Sequence, residues 1–322
     1  MFRCKKGLPW SFSRRVFLPG FSSAAGACLL PSSSAFAATS LHVVDQKGGA
    51  RARLTAAGLT EQSPVSLQWS LFAGAPMLIQ ALTAGAVDVG VIGDAPLVFA
   101  QAGGSPIKAV AAIQTDGTMT AIVVSKDSPI RSIRDLKGRS VATLKSQTGH
   151  YLTLAALREA GMQDDDVRFV FIPPTAAKMA LQNGNVDAWA TWGPYIADAK
   201  ISDGAREIVN GGRLMSGLSY VVATEEALQR QRSAIAAYNR LLKDGHQWML
   251  THAEDYAAAW SKETGLSQPV AREVVRTSMA TVVPITPDII RKQQGVSDFM
   301  TATKMIPGSW DAKAVTDSGI VF

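Results

Sequence analysis

Residues 145–161 read Lys145-Ser-Gln-Thr-Gly-His-Tyr-Leu-Thr-Leu-Ala-Ala-Leu-Arg-Glu-Ala-Gly161 and directly follow a short apolar run at residues 141–144. The apolar run is typical of a buried strand, and Leu154 and Leu157 recur at helical spacing. Gly161 suits the left-handed residue that ends many helices. The segment therefore predicts a strand, a polar turn and a helix.

The start of this helix is a candidate anion site. The hydroxyl of Thr148 is the expected helix cap, and the backbone N–H groups of the first turn lack partners within the helix. Because the helix dipole is positive at that end, the turn suits an anion, with Gln147, Thr148, Gly149 and His150 as candidate binding residues. An ordinary capped helix with a polar surface turn is the alternative.

The basic charge of the sequence is concentrated at its start. The 322 residues carry a formal charge of +6, but five of the 32 basic side chains and none of the 26 acidic ones lie in residues 1–37. The remaining net charge of +1 leaves no footprint of nucleic-acid binding. Residues 1–37 contain Ser13-Arg14-Arg15-Val16-Phe17-Leu18, a small-residue apolar run and Ala35-Phe36-Ala37. This order predicts a twin-arginine export signal and a periplasmic or secreted protein, of which we expect the periplasmic.

Both cysteines, Cys4 and Cys28, fall in the same segment. Cleavage after Ala37 would leave a chain without a disulfide, a thiolate metal site or a cysteine nucleophile. Lipidation at Cys28 is the alternative to cleavage after Ala37.

Strands alternate with helices after the export signal, which predicts α/β architecture with mostly parallel sheets. Ala81-Leu82-x-x-Gly85-x-Val87-Asp88 recurs 99 residues later as Ala180-Leu181-x-x-Gly184-x-Val186-Asp187. The echo predicts two lobes of similar build, although two unrelated helix–turn–strand units would give the same pattern. Ligands of such sheets bind at the carboxyl ends of the strands.

Apolar strands at residues 119–124 and 219–223 bracket the middle of the chain and predict two hinge crossings. We expect lobe one at residues 38–121 and 221–322, and lobe two at residues 122–220.

Five short segments share a fixed order and spacing with one family of binding proteins. They are Trp69-x-x-Phe72-Ala-Gly-Ala-Pro76, Gly93-Asp94-Ala95-Pro96, Lys126-Asp-Ser-Pro-Ile130, Asp135-Leu-Lys-Gly138 and Asn185-Val-Asp-Ala-Trp189. Together they resemble the aliphatic sulfonate-binding proteins of ABC importers, within the nitrate/sulfonate/taurine group of periplasmic binding proteins. The resemblance implies the type II periplasmic binding protein fold, with two α/β lobes joined by two hinge crossings. It also implies capture of an alkanesulfonate, a taurine-like or an aromatic sulfonate for an ABC permease in the inner membrane.

The resemblance extends the candidate site and leaves its ligand open. The family's anion-binding turn falls on residues 145–151, where Gln147 replaces a serine and Tyr151 an asparagine. Gly193 stands in a Trp192-Gly193-Pro194 turn where the family has a carboxylate. These departures make a bulkier or aromatic anion as arguable as a small alkanesulfonate.

Further residues are candidates to line the organic end of the ligand or to contact its polar groups. They are Trp69, Phe72, Gly74, Trp192 and Gly193, together with Asp94 and Ala95. Core packing is the alternative for each aromatic side chain. Asp94 either accepts from a ligand amine or caps the next helix.

No catalytic motif accompanies the anion turn. The four histidines are scattered without metal spacing, and neither a Gly-rich phosphate loop nor a nucleophile elbow is present. The sequence therefore predicts a monomeric binding protein with no cofactor and no metal. Desulfinases resemble this fold but use a cysteine. An enzyme and a ligand sensor on the same scaffold are the alternative functions.

Overall fold

The computed structural model describes residues 40–72 and 74–322, so the expected export signal at residues 1–37 lies outside the described part of the chain. The predicted alternation of strands and helices is present. The strands are β1 (Ser40–Gln46), β2 (Ser66–Phe72), β3 (Val89–Gly93), β4 (Ile107–Gln114), β5 (Thr120–Val124), β6 (Ser140–Thr143), β7 (Arg168–Phe171), β8 (Ala188–Trp192), β9 (Arg206–Asn210), β10 (Leu218–Thr224) and β11 (Thr281–Val283). The helices are α1 (Ala50–Ala56), α2 (Ala75–Thr83), α3 (Asp94–Ala102), α4 (Thr148–Glu159), α5 (Pro174–Gln182), α6 (Pro194–Asp203), α7 (Glu225–Thr251), α8 (Ala253–Thr264), α9 (Gln268–Thr277) and α10 (Pro287–Ala302).

The strands form two separate sheets. Sheet one has the order β11-β4-β10-β3-β1-β2, and sheet two has the order β7-β6-β8-β5-β9. In sheet one β1 pairs in parallel with β2 and β3, and in sheet two β6 pairs in parallel with β7 and β8. The other pairs are antiparallel, namely β10 with β3 and β4, β11 with β4, and β5 with β8 and β9. Both sheets are therefore mixed, and the prediction of mostly parallel sheets is wrong, because the strands that follow the two crossings enter antiparallel. Because parallel neighbours need crossover connections, helices cover both faces of each sheet, and the predicted α/β class is confirmed.

The chain changes sheet twice. It leaves sheet one at residues 115–119 and returns to it at residues 211–217. The two crossings run side by side. Their backbones approach so closely that a β-carbon on Gly211 would lie 2.3 Å from the carbonyl oxygen of Gly117. The expected boundaries after residues 121 and 220 fall inside β5 and β10. These two apolar runs are buried strands, each within a single sheet, and the chain crosses just before each of them.

Asp88 and Asp187, which occupy the same position in the two copies of the repeated segment, have the same structural role in the two sheets. The Asp88 carboxylate accepts from the His42 backbone N–H at 2.8 Å, near the start of β1. The Asp187 carboxylate accepts from the Ser140 backbone N–H at 2.8 Å, at the start of β6. Each repeat thus ties its own strand to the first parallel strand of its sheet, which gives the echo a physical reason.

Helices from the two sheets meet in one apolar cluster. Ala95 and Val98 of α3 pack with Tyr151 and Ala155 of α4 and with Met300 of α10. Since α3 follows β3 of sheet one and α4 follows β6 of sheet two, this cluster holds the starts of the two helices against each other. The carboxyl ends of the parallel strands of both sheets therefore face a common region.

Candidate functional site

The turn before α4 has an unusual backbone. Ser146 adopts φ +58°, one of two positive values among the described non-glycine residues. Its backbone N–H donates to Nδ1 of His150 at 3.3 Å, which holds the turn against the helix. Gln147 occupies the cap position in an extended conformation, and Thr148 is the first helical residue. The prediction that the Thr148 hydroxyl caps the helix is therefore wrong, because the helix begins one residue too early for it.

The start of α4 presents backbone donors without acceptors. The Gln147 amide donates back to the Leu144 carbonyl at 3.4 Å, and the next amide to bond is that of Tyr151, which donates to the Gln147 carbonyl at 3.1 Å. In the described part of the chain nothing accepts from the N–H groups of Thr148, Gly149 and His150, and the Gln147 side chain makes no capping bond. Three donors at the positive end of a 12-residue helix are thus available to an anion.

Gly149 sets how closely this helix start approaches sheet two. A β-carbon there would lie 2.5 Å from the carbonyl oxygen of Ala190 and 2.7 Å from the hydroxyl of Thr143. The hydroxyls of Thr143 and Thr191 are fully buried and have no partner within the described residues. Buried polar groups without partners are uncommon, so the Thr143 hydroxyl beneath the helix start is a second sign of a binding site.

His150 carries no charge in this environment. Its ring meets Phe169 and Phe171 edge-on, with centroid distances of 4.7 and 5.1 Å. Burial, and secondly the nearby Lys145 ammonium, lower the pKa of His150 to about 4. The Lys145 ammonium itself lies 5.9 Å over the ring of Phe171, on an exposed side chain. At neutral pH the His150 ring therefore packs on the phenylalanines, and its backbone N–H is the group left for an anion.

The turn after β3 lies opposite the start of α4. A β-carbon on Gly93 would lie 3.1 Å from Cγ2 of Thr148. The Asp94 side chain is 1% exposed, and its carboxylate accepts from the Ala95 backbone N–H at 2.7 Å. It also accepts from the hydroxyl of Ser216, in the return crossing. Burial raises the pKa of the Asp94 carboxyl, against the opposing effect of the Ser216 hydrogen bond.

The remaining candidates lie where strands end and helices begin, some on sheet two and some on sheet one. Trp192 ends β8 and meets Tyr195 edge-on at 5.7 Å, and Gly193 follows at φ +51° as the cap of α6. Phe72 ends β2 and Gly74 caps α2, so both lie at the carboxyl edge of sheet one.

Trp69 does not join this set. It lies three residues before the end of β2 and packs edge-on against Tyr238 of α7, with ring centroids 6.4 Å apart. Trp69 is half-buried and packs against a core cluster of sheet one, so its contact with the ligand stays a prediction.

Three contributors were not foreseen from the sequence. Ser216 contacts Asp94 across 122 residues of chain, so no local spacing could have revealed it. Phe169 and Phe171 are two residues apart and therefore lie on the same face of β7. That spacing could have indicated a shared partner such as His150.

Among the described residues, neither a candidate metal site nor a membrane-spanning helix accompanies these features. Within residues 40–72 and 74–322 there is no group of three His, Cys, Asp or Glu side chains that could hold a metal ion. No helix described there is long and apolar enough to cross a membrane.

Several known proteins are similar to this chain in sequence and in architecture. The family model described as NMT1/THI5 like matches residues 72–256. A protein of Escherichia coli (strain K12) named for binding aliphatic sulfonates is 30% identical over 248 residues, 77% of this chain and 78% of that protein. The alkanesulfonate-binding protein SsuA from Xanthomonas axonopodis pv. citri bound to MOPS has a TM-score of 0.80 at 26% identity, over 87% of this chain and 98% of that one. The periplasmic aliphatic sulphonate binding protein SsuA from Escherichia coli has a TM-score of 0.78 at 28% identity, over 86% and 91%. The predicted periplasmic binding protein fold is thereby confirmed.

Proposed function

Because the chain belongs to the NMT1/THI5 like family, with aliphatic sulfonate-binding proteins as its close relatives, we propose that it is the substrate-binding component of an ABC importer. In this proposal it works in the periplasm, after export by its twin-arginine signal. It captures an organic anion with a sulfonate group in the cleft between two lobes and delivers it to a permease as a monomer.

The observation that carries the proposal is the start of α4 with its unbonded N–H groups. A sulfonate has three acceptor oxygens and stays ionised at physiological pH. Each hydrogen bond to a charged group contributes about 1.5–3 kcal/mol. Neutral donors also require less desolvation than a buried ammonium group would. The uncharged state of His150 fits this mode of binding, since the anion is then held by dipoles and neutral side chains.

The proposed site extends from this turn to both sheets. Gln147, Thr148, Gly149 and His150 hold the sulfonate. The neighbouring turns, with Phe72 and Gly74 on sheet one and Trp192 and Gly193 on sheet two, line the organic end. Asp94 and Ala95 form the wall opposite Thr148 without direct contact to a ligand amine. Both Asp94 oxygens already accept a hydrogen bond, which supports this assignment.

The two sheets are the proposed cores of the two lobes, with the paired crossings at residues 115–119 and 211–217 as the hinge. Ligand capture would close the lobes about this hinge. Small-angle scattering should show a contraction on ligand addition, and an unchanged profile with saturating ligand would contradict closure.

Capture without catalysis is favoured by the chemistry of the chain. Residues 38–322 contain no cysteine, so a cysteine-dependent desulfinase reaction has no nucleophile there. A sensor role differs from a transport role in its partner. Ligand-loaded protein should raise ATP hydrolysis by the reconstituted importer, and a sensor would leave that rate unchanged.

The test is calorimetry with ethanesulfonate, taurine and benzenesulfonate on the wild type and on the double variant Gln147→Leu, Thr148→Val. Loss of both side-chain donors should weaken binding at least tenfold, on the scale of about 1.4 kcal/mol per factor of ten. The matched control is Thr175→Val, Gln182→Leu, which makes the same changes at exposed positions of α5, a helix that packs on the same sheet as α4. Equal affinity of both double variants would refute the site, and no binding of any sulfonate by the wild type would refute the function.

A further inference from the structure

Asp94 is a buried carboxyl beside the proposed anion site. It is the first residue of α3 and follows Gly93, which faces Thr148 of the anion turn. Asp94 is 1% exposed, so water does little to solvate or screen a charge on its carboxylate. An anion bound at the start of α4 would therefore lie close to a second, buried acidic group.

Three separate segments hold Asp94 in place. Its carboxylate accepts from the Ala95 N–H of its own helix and from the Ser216 hydroxyl in the return crossing. Ser216 in turn accepts from the Leu218 N–H at 3.1 Å, at the start of β10. The side-chain amide of Gln293 in α10 donates to the Asp94 backbone carbonyl at 3.0 Å. The carboxyl thus connects the start of α3 with the hinge, and its position is fixed.

The groups packed around Asp94 supply no cation. The titratable groups that face it are Tyr151 of α4 and Tyr220 of β10, and its charge contributes to raising the pKa of both phenols. The Tyr220 hydroxyl is buried and unpartnered within the described residues. Gln293 is the α10 side chain that contacts Asp94.

Other charges on the neighbouring elements are engaged elsewhere or are absent. In α10, Arg291 and Lys292 pair with Asp288 at the surface. In α4, Arg158 pairs with Asp164 and Glu159 pairs with Arg213, and the pKa of His150, about 4, leaves its ring uncharged. The sequences of α2 and β3 carry no titratable side chain.

Two like charges in a buried site without a cation between them disfavour each other, and protonation of one relieves the repulsion. A sulfonate does not take up a proton in the physiological range, and His150, with its pKa lowered to about 4, stays neutral there. The Asp94 carboxyl is the remaining group in the site that can take up the proton. Resting on the proposed function, we propose that Asp94 is a positioning residue whose carboxyl is neutral in the anion complex, so that capture of one sulfonate takes up one proton. The proton goes from solvent to a carboxylate oxygen of Asp94, and no other bond changes.

The linkage has a definite sign. Burial has already raised the pKa of Asp94 in the free protein, and a bound anion raises it further. Between these two values only the complex is protonated, so affinity falls as pH rises through that window. Affinity is constant below and above it. A tenfold change in affinity corresponds to each unit by which binding raises the pKa.

The experiment is calorimetry of the full exported protein with ethanesulfonate and benzenesulfonate from pH 5.5 to 9, in buffers of different ionisation enthalpy. We expect proton uptake that approaches one per ligand at its maximum, and an affinity that drops at least tenfold across the range. Asp94→Asn should bind with a flat pH profile and no proton uptake, because its side chain is neutral at every pH.

Two further variants separate this effect from a merely structural role. Ser216→Ala removes a hydrogen bond that lowers the pKa of Asp94, so the drop in affinity should move to higher pH. Asp88→Asn alters a carboxyl of lobe one at the opposite edge of sheet one, where it accepts from the His42 N–H near the start of β1, and should leave the profile of the wild type unchanged.

Sulfonate binding by the wild type with no proton uptake would overturn the inference and leave the proposed function intact. A pH dependence that persists in Asp94→Asn would also overturn it. If Asp94→Asn does not fold, an unshifted profile in Ser216→Ala has the same meaning. Failure of both sulfonates to bind at any pH would refute the proposed function itself.

Discussion

Gly149→Ala is the substitution that tests most sharply how the start of α4 is built. The new methyl group would lie 2.5 Å from the carbonyl oxygen of Ala190 and 2.8 Å from its carbon, where ordinary contacts begin at 3.4 Å. These atoms belong to the backbone of β8 in the centre of sheet two, so the helix start must move by about 1 Å. Overpacking of this kind costs about 1–3 kcal/mol. The better helix propensity of alanine offsets about 0.5–1 kcal/mol of this.

We therefore expect Gly149→Ala to lower the free energy of unfolding by about 1–2 kcal/mol. The same displacement lengthens the hydrogen bonds from the N–H groups of residues 148–150 to the anion. Loss of one charge-assisted bond of about 1.5–3 kcal/mol weakens binding by about ten- to a hundredfold. Urea unfolding measures the first effect, and calorimetry with the tightest-binding sulfonate measures the second.

The control is Gly295→Ala, an exposed glycine in α10 whose added β-carbon would meet nothing within 4 Å. It should stabilise the protein by about 0.5–1 kcal/mol through helix propensity alone, with unchanged ligand affinity. If Gly149→Ala is as stable as the wild type and binds as tightly, the close approach of α4 to β8 and its role in binding are both refuted.

Three further predictions concern stability. His150 has a pKa of about 4 in the folded chain against an ordinary 6.5, so stability is lost as pH falls below 6.5. By pH 5 the loss is about 2 kcal/mol, and urea unfolding of His150→Phe at pH 7.5 and 5 should show a correspondingly smaller loss. Asp187→Asn weakens the hydrogen bonds to Ser140 and should lower the free energy of unfolding by about 1–2 kcal/mol. The urea midpoint should fall accordingly, and an unchanged midpoint would contradict this. Gly193→Ala forces a side chain into φ +51° and should cost about 1–3 kcal/mol in thermal unfolding, although the nearest atom, of Met119, leaves 4.0 Å of room. Unaltered stability would mean that the turn relaxes.

The parts of the fold that follow from local patterns could be predicted from the sequence. Alternating strands and helices indicated the α/β class, and the echoed aspartates indicated two units of one design. Their paired roles at the starts of β1 and β6 explain why that signal was present. The turn at residues 145–150 was also visible, because strand, polar turn and helix follow one another directly.

Features that depend on distant contacts could not be predicted in this way. The hydrogen bond between Asp94 and Ser216 joins residues 122 positions apart. The short strand β11 exists because it adds to the edge of β4, and three residues carry too little pattern to indicate it alone. The packing of Trp69 on Tyr238 joins β2 to α7, so the sequence near Trp69 could not indicate it.

The central claim is that the N–H groups at the start of α4 bind the sulfonate. A crystal structure of the protein grown with benzenesulfonate tests it most directly. We expect the sulfonate oxygens within about 2.7–3.2 Å of the backbone nitrogens of Thr148, Gly149 and His150. A sulfonate bound elsewhere, with these three nitrogens facing only water, would contradict the account.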